Sequence, residues 1–439
     1  MRRQRWAEMD EGQRAALCGR GLADIFEPGL RSSIAALVED VRDRGDAAVV
    51  DATARFDEVA LTSAELRVTD DELDGASVDD DLDCALDVAI ANCRAFNEQV
   101  LARAAAWSFE PQPGLRVGEK VTPIASAGLF VPSGKASYPS VAYQLGVPAT
   151  VAAVPEIAVV VPPAPDGDGA VDPAVLVVAR KLGLRRVFRA NGPAGIAALA
   201  FGTESFPRVR KIVGPGSPAV TYTQVELQRH GTATMMLLGP TESLVVADDR
   251  ADAMRLAADL LIEAEHGTDS SVVLVTPSAA LADSVDAELE NQLADLPDVR
   301  ATAARAALGP NGGCVLVEDL DEAVAVANRY APEHLQVAVV DERVDEVVDG
   351  LVNAGEILVG QHTPFSAANF VLGCPASLPT SGFAEVASGI TVETFLKRTA
   401  VACADAEALA ALSPAILALA DHEGFPAHAA AIRRRAVLP

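Results

Sequence analysis

Four of the six histidines in this 439-residue chain stand close to carboxylates. Glu263 and His266 are spaced i, i+3 at the end of an apolar helical pattern (Met254, Ala257, Leu260, Leu261, Ala264) that Gly267 is suited to close. That spacing puts a carboxylate and an imidazole on one helix face, a pair able to ligate a transition metal and also the pattern of a plain surface ion pair. Glu333 and His334 are adjacent. Pro332 ends the helix before them and a strand begins at Leu335. Both side chains are natural general bases, on a helix-to-strand loop of the kind that carries active sites in α/β proteins. The third cluster, Asp421-His422-Glu423 through His428, puts two imidazoles and two acids into a tail otherwise poor in polar groups. It reads either as chemistry or as a polar break between helices.

Glycine-rich turns form a second class of candidate. Val213-Gly214-Pro215-Gly216-Ser217 follows a short β-branched run, and Pro132-Ser133-Gly134-Lys135 follows Gly128–Val131. Either turn can bring backbone N–H groups to a pyrophosphate, although no GxGxxG is present.

The elements that would position these groups alternate. Candidate strands are Ile157–Val161, Val187–Arg189, Ile212–Val213, Leu244–Ala247, Val272–Val275, Val315–Val317, Val337–Val340 and Ile357–Val359. Helical segments near 173–182, 193–201, 250–266, 278–294, 320–330 and 343–352 separate them, and a Pro/Gly/Asp loop at Pro162–Gly169 interrupts the first group. Repeated βα units predict parallel sheets covered on both faces. The expected fold is α/β, with two Rossmann-like parallel-sheet domains and small helical N- and C-terminal segments. Residues 1–27 read as a polar helical segment, and 28–129 joined with 241–392 as a discontinuous α/β catalytic domain. Residues 130–240 read as a nucleotide-binding domain, and 393–439 as a strand-free helical tail.

Composition excludes several partners. A net charge of −27 argues against nucleic acid, whose phosphates need Lys and Arg. The acids fit a well-solvated surface or a salty cytosol equally well. The longest apolar stretch, near Ala149–Val161, is broken by Pro155 and Glu156, so no membrane span is expected. The polar start Met1–Trp6 leads into no apolar region, which predicts a cytoplasmic protein without a signal peptide. The six cysteines form no CxxC pair and read as reduced thiols, with Cys374 alone near a candidate site.

In order, these segments resemble the histidinol dehydrogenase family. The matching stretches are Gly128–Pro132 with Gly134–Pro139, Ile196–Ser205, Lys211–Gly216, Gly239–Glu242, Ala264–Gly267, Tyr330–Leu335, Leu378–Thr380 and Glu423 through His428. The run Phe201-Gly202-Thr203-Glu204-Ser205 and the loop Pro332-Glu333-His334 are the most specific. The resemblance implies a homodimer using zinc and NAD, which oxidises an alcohol to an acid through an aldehyde. It gives Glu333 the role of activating water and His334 that of taking the hydroxyl proton. It makes Glu263, His266, Asn369 and His428 the zinc ligands, and it adds Thr241, His334 and Glu423 to these as substrate contacts. NAD falls to Phe130, Ala194 and Ser217, and the tail is expected to reach the partner subunit's site.

The chain departs from the family at several of these positions. The family's zinc quartet is Gln, His, Asp, His, so Glu263 and Asn369 exchange an amide for an acid and an acid for an amide, leaving the quartet's charge unchanged. Ala376 stands where the family has a substrate-contacting His, and Phe130, Ala194 and Ser217 stand for Tyr, Gln and Asn. The expected activity is oxidation of a small polar alcohol, amino or anionic, other than histidinol. The alternatives are a true L-histidinol dehydrogenase of histidine biosynthesis and a non-catalytic relative.

Overall fold

Runs rich in Val and Leu form strands buried along their whole length, as parallel sheets covered on both faces require. The structure, a computed structural model, describes residues 1–20, 25–133, 137–164, 169–235 and 239–435. Six parallel strands make the larger sheet, in the order β1 (Arg3–Arg5), β10 (Gly313–Leu316), β9 (Ser271–Thr276), β8 (Glu242–Ala247), β11 (His334–Ala338), β12 (Glu356–Val359). Four parallel strands make the smaller, in the order β6 (Val187–Arg189), β5 (Glu156–Val161), β4 (Ser126–Phe130), β7 (Lys211–Val213). The architecture is therefore α/β with two Rossmann-like parallel-sheet units, and all eight candidate strands and the helices between them are present.

Period-2 alternation divides the smaller sheet's side chains between two cores. Leu129 and Val159 face the helices Asp80–Arg103, Pro139–Val151 and Pro173–Lys181. Phe130 and Val160 face Pro28–Arg44, Asp46–Phe56, Gly192–Phe201 and Pro218–Gln228. The helices from 28 to 103 thus pack on the smaller sheet, which corrects the expected grouping of 28–129 with 241–392. Helical periodicity shows that an element has an apolar face but not which sheet covers it.

The terminal segments also differ from expectation. Residues 1–27 are not wholly helical, because β1 adds an edge strand beside β10. The tail is not strand-free either. Leu396–Ala404 forms β13, antiparallel to β3 (Leu115–Pro123), which pairs on its other side with β2 (Trp107–Gln112). All of β13 after Leu396 is exposed, so no apolar alternation marked it as a strand. Among the described residues, no helix is long and apolar enough to cross a membrane.

Candidate active site

The helix Ala253–Ala264 runs back from β8 and ends at the N-terminal edge of the larger sheet, delivering Glu263 there. Glu263 is 1% exposed, and its carboxylate lies 3.4 Å from His266 Nδ1. Asn369, on the short helix Phe365–Phe370, donates from Nδ2 to Glu263 Oε1 at 2.7 Å. The smaller unit supports this helix from below: Gln144 donates to the Asn369 carbonyl and Tyr143 to that of Phe370, each at 2.7 Å. Three of the four expected ligands therefore come together between the two units.

The catalytic loop sits at the same sheet edge. Helix Leu320–Tyr330 ends on Ala331 in a left-handed conformation (φ 49°, ψ 63°), a strained turn for a residue with a Cβ. Pro332 then leads into β11. Parallel register sets His334 opposite Glu356 on β12 and Ser243 on β8. His334 Nδ1 and Glu356 Oε1 are 2.5 Å apart, while Nε2 lies 3.7 Å from Glu333 Oε1. Phe365 packs edge-on against the imidazole. Glu333 Oε2 accepts from the Glu242 backbone N–H at 3.1 Å. Thr241 precedes Glu242 at this edge and is half-buried.

Gly355 makes the loop's backing possible. Its N–H donates to the Pro332 carbonyl at 2.9 Å, and a Cβ at this position would fall 2.4 Å from the Glu333 carbonyl oxygen. The Gly355→Ala variant is expected to lose about 1–3 kcal/mol, the usual cost of overpacking, and to lose activity through displacement of Glu333. Thermal unfolding paired with steady-state kinetics checks both; an alanine variant with unchanged stability and turnover contradicts the tight approach.

Burial raises the Glu333 pKa to about 8, helped by the charges of Glu263 and Glu242 and opposed by His334. For His334, burial favours the neutral ring. The carboxylates of Glu263, Glu333 and Glu356 outweigh it and push the imidazole up to about 10. A cation bound by Glu263 would offset the negative charge that holds the proton on His334.

The donor chemistry fits such a cation. Glu263 is a buried carboxylate with no Lys or Arg paired to it among the described residues, and a buried charge calls for an opposite one. His266 Nδ1 lies 3.0 Å from the Ile262 carbonyl, which accepts its proton and leaves Nε2 free, the usual arrangement of a ligating imidazole. The end of the helix Ala253–Ala264 adds its partial negative charge.

Glu423 and His428 are not brought to this site within the one chain. Both are exposed, on the tail made by helices Ala406–His422 and Pro426–Arg435. Accordingly, no group of three His, Cys, Asp or Glu side chains suited to a metal forms among the described residues.

The expected nucleotide site gathers at the C-terminal ends of β4 and β7, where the chain order of the smaller sheet reverses direction, the switch point at which such sheets bind ligands. Phe130 is its floor. A Cβ on Gly214 (φ 150°) would meet the Phe130 carbonyl at 2.2 Å, and one on Gly192 or Gly216 would meet its ring at 3.0 Å. Ser217 is exposed at the N-terminus of Pro218–Gln228, its hydroxyl uncommitted to capping. Ala194 is fully buried and its N–H faces Asn191 Oδ1 at 3.4 Å, so it lines this region by packing alone. The turn residues Gly134 and Lys135 lie outside the described residues, as do residues 165–168 of the loop Pro162–Gly169.

Two groups escaped the reading of the sequence. Glu356 shows only as an acid opening the run Ile357-Leu358-Val359, and strand register, which pairs it with His334, is not written in that run. Arg20 is nearly buried, ion-paired with Glu242 and stacked 3.4 Å from the Tyr330 ring centroid. It balances the carboxylate next to Glu333.

Fold and site together define an α/β protein of two parallel-sheet units with an acid–imidazole centre between them. The family model described as histidinol dehydrogenase matches residues 25–436. A histidinol dehydrogenase of Xanthomonas euvesicatoria is 40% identical over 431 residues, 98% of each chain. A histidinol dehydrogenase homolog of Cereibacter sphaeroides is 40% identical over 97% of this chain and 96% of its own. The crystal structure of histidinol dehydrogenase from Elizabethkingia anophelis superposes with a TM-score of 0.92 at 30% identity, covering 99% of this chain and 98% of that one. The chain belongs to the histidinol dehydrogenase family.

Proposed function

We propose that this protein is a zinc- and NAD-dependent dehydrogenase oxidising a small polar alcohol to an aldehyde and then to an acid. The observation that carries this reading is the buried pair Glu333–His334 beside the convergent donors Glu263, His266 and Asn369. Zinc held by these three donors and by His428 of a second copy would polarise the substrate oxygen. His334 Nε2 is placed to accept the hydroxyl proton, and NAD, when bound, would supply the hydride acceptor. Glu333 takes a proton from the water that adds to the aldehyde, its raised pKa suiting that exchange near neutral pH. Phe130, the Gly214–Gly216 turn and the N-terminus of Pro218–Gln228 would hold the dinucleotide.

The homodimer is supported by the exposed arm. Trp107, Phe109, Val401, Leu419 and Phe425 are exposed large apolar side chains on β2, β13 and the tail, an arrangement that calls for a partner surface. The acidic composition, with a net charge of −27, supports a cytoplasmic location.

Substrate identity turns on Ala376, half-buried beyond Cys374. With no imidazole there, L-histidinol is expected to be a poor substrate, one lost buried polar contact costing about 1–3 kcal/mol. True histidinol dehydrogenase activity is the second reading, favoured by the names of the relatives. A screen of NADH production over amino, neutral and anionic alcohols separates the two. A kcat/KM for L-histidinol of about 10⁴ M⁻¹s⁻¹ or more, within the ordinary enzyme range, establishes the second reading.

A further inference from the structure

An imidazole can work as a base only through the nitrogen that lacks a proton, so something must decide which nitrogen that is. Here Glu356 is placed to do so. Parallel pairing of β11 and β12 sets the two residues side by side on one sheet face. The Gly355 and Glu356 N–H groups bond the Pro332 and Glu333 carbonyls at 2.9 and 3.1 Å, locking that register. Both partners are buried, Glu356 9% and His334 3% exposed. Glu356 Oε1 meets His334 Nδ1 at 2.5 Å. Its other oxygen accepts from the Cys374 thiol at 3.5 Å, so the carboxylate is held from both ends.

We propose that Glu356 is a positioning residue that keeps the His334 proton on Nδ1 and aims Nε2 at the reacting hydroxyl. An ionised carboxylate is an acceptor only, so it takes the Nδ1 proton and leaves the Nε2 lone pair on the open side, next to Glu333. Phe365 packs edge-on against the ring in this pose. The amide of a glutamine at 356 can face Nδ1 with its NH₂ group and favour the wrong tautomer.

This inference rests on His334 being the base, and its test keeps the two claims apart. Glu356→Gln, Glu356→Asp and His334→Asn are compared by steady-state kinetics and by proton NMR of low-field imidazole N–H signals. Glu356→Gln is expected to lower kcat by at least about 10-fold, the low end for removing a group that orients a working imidazole, and by up to about 10⁴-fold. KM for NAD and for the alcohol stays near its original value. Glu356→Asp, which keeps the charge, restores part of the loss. The wild-type protein shows a low-field N–H signal that vanishes in both Glu356→Gln and His334→Asn. Loss of activity in His334→Asn with full kcat and an intact signal in Glu356→Gln overturns the positioning role alone. Full activity in His334→Asn overturns the assignment of the base. If Glu356→Gln does not fold, the wild-type and His334→Asn spectra decide: absence of any signal that depends on His334 overturns the pair.

Discussion

Changing His334 to Asn is expected to lower turnover by about 10²–10⁴-fold, the scale for loss of one general base, with little change in dinucleotide binding. Asparagine keeps a polar group at the mouth of β11 but cannot take a proton near pH 7. The pH profile carries the same signature. A base must be deprotonated to act, and the surrounding carboxylates raise the His334 pKa. Activity therefore falls as pH drops through the His334 pKa, which a cation on Glu263 brings down from its value in the metal-free chain. Glu333→Gln is expected to slow aldehyde oxidation more than alcohol oxidation, because only the second step consumes water. Equal and mild losses in both steps for both variants contradict the division of roles.

His266→Ala is expected to empty the metal site and abolish activity, with elemental analysis reading metal content independently of turnover. Among the described residues, one chain brings only Glu263, His266 and Asn369 together, while His428 stands exposed on the tail. The fourth ligand is therefore expected from a second copy. Co-expression of His334→Ala chains with His428→Ala chains tests this, each variant being inactive alone. In a mixed dimer with shared sites, one site carries both defects and the other neither, so about half the activity per mixed dimer returns by that arithmetic. No recovery in dimers shown to be mixed places His428 in its own chain's site.

What was legible in the sequence follows from range. Apolar runs bounded by turns report strands, and 3.6-residue periodicity reports helices, because both patterns are local. Glu263 and His266 were legible for the same reason, sharing one turn of one helix. Glu333 and His334 were legible because Pro332 fixed the boundary they sit on. The pairing of His334 with Glu356 was not, because strand register depends on which strands become neighbours. The attachment of helices 28–103 to the smaller sheet was hidden likewise, an apolar stripe being silent about its partner. Strand β13 lacked apolar alternation altogether, since its side chains are largely exposed in the single chain. General rules for open α/β sheets point to the C-terminal strand ends. Here only the expected nucleotide site obeys them, and the acid–imidazole centre lies at the opposite, N-terminal edge of the larger sheet.

The most direct test of the whole account is alcohol-dependent reduction of NAD by the purified protein, followed before chelation, after complete metal removal, and after zinc is restored. The account predicts NADH formation with at least one small polar alcohol, its loss with the metal, and its return with zinc. NADH formation that persists at full rate in demonstrably metal-free protein, or none with any alcohol in zinc-loaded dimer, contradicts it.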